Sequence, residues 1–89
     1  MSRQNIKLDE NDHYFLNTNK AFRREQFVAD GEYPDDVWGM ILDFFFRLSV
    51  DYTAASNNKK MDDKKRNYRM RMITNNAEAF KAAMGLRLA

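Results

Sequence analysis

The sequence predicts an all-α domain, a three- or four-helix small bundle built around one apolar helix at about residues 34–56. Three observations predict it. First, the stretch Asp36 to Tyr52, set on a 3.6-residue period, places Asp36, Gly39, Asp43, Arg47 and Asp51 on one narrow line. Val37, Trp38, Met40, Ile41, Leu42, Phe44, Phe45, Phe46, Leu48 and Val50 cover the rest of the circumference. Second, Met70, Ile73, Ala77, Phe80 and Met84 repeat at helical spacing further along. Third, three glycines and one proline are too few for a β-sandwich or barrel, which needs a turn about every 8–12 residues.

Residues 1–8 show no periodicity and read as a flexible N-terminal arm on a single domain spanning 1–89. Asp9, Asn11 or Asp12 can cap a first helix, where the helix dipole favours negative charge. Tyr14, Phe15, Ala21, Phe22 and Val28 then share one face at heptad spacing, which predicts an amphipathic helix to about Ala29. Asp30-Gly31 reads as its stop, with glycine in the left-handed conformation.

Tyr33-Pro34-Asp35-Asp36 restarts the chain, because proline in a first turn loses no needed hydrogen bond. A link this short makes the first two helices antiparallel neighbours. On the polar line of the central helix, Asp43 with Arg47 and Arg47 with Asp51 are i,i+4 pairs worth roughly 0.2–0.5 kcal/mol each. Ser56-Asn57-Asn58 ends the central helix, since these side chains compete for the backbone. Asp62-Asp63 opens a third helix, which can break at Thr74-Asn75-Asn76, and Gly85 ends it ahead of a tail with exposed-looking Leu86 and Leu88.

A central helix that is apolar nearly all round has more surface than two flanking stripes can cover. A set such as Trp38, Leu42, Phe45 and Phe46 is then expected to form an exposed apolar patch, the kind of surface that marks an interface. A second copy, most simply in a homodimer, is the expected cover, and an unidentified protein partner comes second. In the alternative arrangement, the C-terminal segment folds back over the gap.

The net charge of +2 conceals a division. Residues 1–56 carry six Lys/Arg against ten Asp/Glu, whereas residues 57–89 carry nine against three. A solvated face is the plain reading of such a half. The denser reading is a basic run of Lys59, Lys60, Lys64, Lys65, Arg66, Arg69 and Arg71 with Tyr68 among them, suited to phosphates or to an acidic partner. Against nucleic acid stand Asp62 and Asp63 inside the run and the lack of a framing helix-turn-helix signature.

Chemistry is sparse. Without cysteine, the chain has no disulfide framework, thiol nucleophile or cysteine-bearing metal site. His13 is the one histidine and lacks ligand spacing, and Asp9, Asn11 and His13 fail as a calcium loop because Tyr14 and Lys20 stand where glycine and glutamate are needed. Glu32, Asp35 and Asp36 are explained by a helix start rather than by acid–base work. No phosphate loop or nucleophile elbow occurs. The sequence therefore implies no enzyme, no metal, no cofactor and no evident small-molecule substrate. Among the methionines, Met40, Met70 and Met84 read as core, leaving Met61 and Met72 open.

The N-terminus has no secretory h-region, and the apolar run from Val37 to Val50 is too short and too charged for a bilayer core of roughly 30 Å. A cytoplasmic protein is expected, in the bacterial or host cell. In outline the chain resembles small bacterial or phage regulators and inhibitors that act by binding. The expected function is that of a non-enzymatic helical interaction protein that modulates a protein partner. A small nucleic-acid-binding module using residues 59–71 is the alternative.

Overall fold

Pro34, extended and placed just before the first turn, starts helix α1 at Asp35, and Asp35 and Asp36 put carboxylates at its positive end. In the computed structural model, which describes Leu16 and residues 21–89, α1 runs from Asp35 to Ser56. Asn57 closes it, its N–H reaching the carbonyls of Thr53 and Ala55. Five residues after Asn57, Asp62 caps helix α2, Asp63–Met84, by accepting the Lys65 N–H at 2.8 Å. Phe44 and Phe45 meet Phe80, and the Tyr33 hydroxyl donates to the Met84 carbonyl. The start of α1 therefore lies at the end of α2, and the two helices form an antiparallel hairpin.

α2 does not break at Thr74-Asn75-Asn76. Thr74 is buried and donates its hydroxyl to the Met70 carbonyl one turn back, which satisfies the side chain without leaving the helix. Further along the unbroken helix, Glu78 pairs with Lys81.

The described residues are mostly helical, as expected, but they form two helices and a small two-stranded sheet, and a bundle of three or four helices is not seen among them. Where a helix was expected to continue to Ala29, the chain makes a short 3-10 turn at Arg24–Gln26 and then strand β1, Phe27–Ala29. β1 pairs antiparallel with β2, Leu86–Leu88, in the register Phe27 to Leu88, Val28 to Arg87 and Ala29 to Leu86. The ladder is extended at both ends, by the Ala89 N–H to the Gln26 carbonyl at 2.8 Å and the Asp30 N–H to the Gly85 carbonyl at 2.9 Å.

These bonds satisfy a segment that packs on α1 in place of helical turns. Strand alternation buries Phe27 and turns Val28 outward, although the heptad pattern had placed Val28 on the inner face. The tail leucines are likewise corrected: Leu86 is buried and Leu88 is packed against the core. Thus the C-terminal segment does fold back. Of the earlier part of the first predicted helix, Leu16 is helical and buried, while the remainder, with the arm at 1–8 and His13, lies outside the described residues.

The core centres on Phe45. Its ring stacks on Phe27 at 5.1 Å and meets Phe22, Phe44 and Phe80 at 6.2, 6.0 and 5.4 Å. Trp38 lies beside Phe27 and Tyr33, with the Arg24 guanidinium 5.1 Å from its ring centroid. Ser49 is fully buried on α1 and donates to the Leu16 carbonyl at 2.8 Å, which ties the earlier segment to the helix.

Gly85, not Gly31, is the glycine in the left-handed region, with φ 64°. It ends α2 and turns the chain into β2. A β-carbon there would meet Asp30 Cβ and Oδ2 at 3.3 Å. Gly85→Ala is accordingly expected to cost about 1–2 kcal/mol from the backbone conformation alone. It should lower the urea midpoint without changing the slope of the transition.

Candidate functional site

The polar line on α1 is present, and the Arg47 guanidinium turns to Asp43 at 3.0 Å. The buried face comprises Trp38, Ile41, Phe45, Leu48, Ser49, Tyr52 and Ala55. Between these two faces, on the side away from Phe44 and its α2 neighbour Phe80, lies an uncharged flank. Gly39, Leu42, Phe46, Val50 and Thr53 descend it at spacings of three and four residues. Phe46 is 36% exposed and Val50 40%, and Leu42 is partly covered. A β-carbon on Gly39 would meet nothing within 4 Å, so the space beside it is open. Met40, at 72% the most exposed large apolar side chain among the described residues, stands apart, beside the Asp43–Arg47 pair.

The four residues expected to make an apolar patch therefore separate. Leu42 and Phe46 lie on the open flank, whereas Trp38 and Phe45 are in the core. The reason is β1: Phe27 covers both Trp38 and Phe45, occupying the face that was expected to lack a neighbour. Gly39, Val50 and Thr53 were not singled out for this surface. The signal was their spacing relative to Leu42 and Phe46, which has meaning only once the buried face is known.

On α2 the basic run resolves into a face. Lys64, Tyr68 and Met72 form an i, i+4, i+8 line, with Lys65 and Arg69 along one side and Arg71 along the other. Tyr68 is 58% exposed and Met72 43%. Lys59 and Lys60 are exposed in the turn before the helix. Arg66 points elsewhere and pairs with Asp63. Asp62 is occupied by the Lys65 N–H, so both carboxylates inside the run are engaged locally. Among the described residues, no carboxylate pairs with Lys64, Lys65, Arg69 or Arg71.

Glu32, Asp35 and Asp36 are exposed at the start of α1, where Asp35 pairs with Arg24 at 3.2 Å. Among the described residues, no three His, Cys, Asp or Glu side chains gather as metal ligands, and no helix is long and apolar enough to cross a membrane. Comparison with protein families, curated proteins and solved structures finds no match to this chain.

Proposed function

We propose that the protein is a small, non-enzymatic interaction protein of the cytoplasm, a regulator or inhibitor that modulates a protein partner by binding it. The flank Gly39, Leu42, Phe46, Val50 and Thr53 is the surface it uses, and a second copy is its first partner. One observation carries this reading: Phe46 and Val50 stay open to water, side by side, on the same helix that forms the core. Apolar area left in water gains about 25 cal/mol per Å² when covered. The flank is uncharged and has the 3–4 spacing along which helices pack against one another. Joined along it, two copies bring α1 and α2 of each chain together between the chains.

The flank is short and only partly exposed, so most of the gain is offset by the cost of association, and the affinity belongs in the micromolar range. Asp36, Asp43 and Asp51 outnumber Arg47 on the adjoining face. Facing copies repel one another there, and added salt should tighten the dimer by screening. Phe46→Glu combined with Val50→Glu is expected to raise the dimer dissociation constant at least tenfold in light scattering, with an unchanged helical circular dichroism spectrum. Association that persists unaltered in this variant contradicts the assignment of the flank.

A further inference from the structure

The basic face of α2 has no role in that reading. We infer that it binds single-stranded nucleic acid, with Lys64, Lys65, Arg69 and Arg71 on the phosphates and Tyr68 stacking on a base. Four cations lie around an aromatic ring that is more than half exposed, and no described carboxylate neutralises them. Asp62 and Asp63, the two acids in the run, are committed to the Lys65 backbone and to Arg66. Water satisfies the Tyr68 hydroxyl but not its ring face, and a ring between phosphate-binding cations is the arrangement that holds an unpaired base by its face.

The same geometry disfavours duplex. The centre of the face presents a ring and a thioether, Tyr68 and Met72, rather than the donors and acceptors that read base edges in the major groove. Lys59 and Lys60, in the preceding turn, extend the positive track along which a strand can continue.

The test is fluorescence anisotropy of a labelled 20-nucleotide oligothymidylate with the full chain. Four phosphate contacts predict a loss of about 50-fold in affinity between 50 and 200 mM salt. Lys64→Glu with Arg69→Glu should abolish binding. Tyr68→Ala should weaken it about fivefold or more, and Tyr68→Phe should retain it. Phe46→Glu with Val50→Glu, which tests the α1 flank, should leave it intact, so the two readings fail separately. The inference is overturned by an absence of binding at 50 mM salt. It is equally overturned by duplex binding as tight as single strand with Tyr68→Ala indifferent, or by polyglutamate displacing the strand as well as unlabelled strand does. The last result assigns the face to an acidic protein instead.

Discussion

Replacing Phe45 by alanine is expected to cost about 3–5 kcal/mol of folding stability. Phe45 is fully buried, and its ring touches four others: Phe22 ahead of the sheet, Phe27 on β1, Phe44 beside it on α1 and Phe80 on α2. Every layer of the described fold therefore meets at this one ring, and its neighbours are too large and too rigid to close the cavity left behind. In a domain of this size each kcal/mol shifts the melting temperature by about 4–8 °C, so the loss is about 12–40 °C. The adjacent Phe46→Ala removes a ring already one-third in water and should cost about 1 kcal/mol or less. Thermal unfolding of the two variants side by side checks the rotation of α1 directly. Equal losses would mean that the helix is turned differently from the arrangement described.

Leu86→Asp has the second large expected effect. Leu86 sits on β2 opposite Ala29 and is buried in the core. Aspartate there loses the transfer free energy of the leucine and sets a carboxylate in the apolar core. Leucine-to-small changes alone cost about 2–5 kcal/mol, and the buried carboxyl group adds to that. The variant is expected to be largely unfolded at room temperature. Val28→Thr, on the outward side of the same strand pair, should stay within about 0.5 kcal/mol of the parent in urea unfolding. A folded Leu86→Asp protein would show that the C-terminal strand does not belong to the core.

Both helices of the hairpin are legible from residues 34–85. Pro34, Asp62 and Gly85 punctuate them, and Met70, Ile73 and Ala77 mark the inner stripe of α2. The sheet is not legible, for a physical reason. Three residues such as Phe27-Val28-Ala29 or Leu86-Arg87-Leu88 carry too little of a two-residue period to compete with a heptad pattern running through Tyr14, Ala21 and Val28. Their stability comes from pairing with each other, a contact between residues 57 to 61 positions apart that no local pattern encodes.

The same gap explains the division of the expected apolar patch. α1 is apolar almost all round, so its sequence cannot say which sector stays open until Phe27 is placed over Trp38 and Phe45. The basic face needed no such knowledge, because Lys64, Tyr68, Arg69 and Arg71 are set at helical spacing by α2 itself.

Under the proposed function, the partly exposed flank of α1 is covered by a second copy. Sedimentation equilibrium of the full chain over a range from low to high micromolar concentration, at low and at moderate salt, measures this directly. The expected result is an average mass rising toward that of two chains as concentration increases, and rising sooner at the higher salt. A mass fixed at one chain throughout, with Phe46 and Val50 intact, would contradict it.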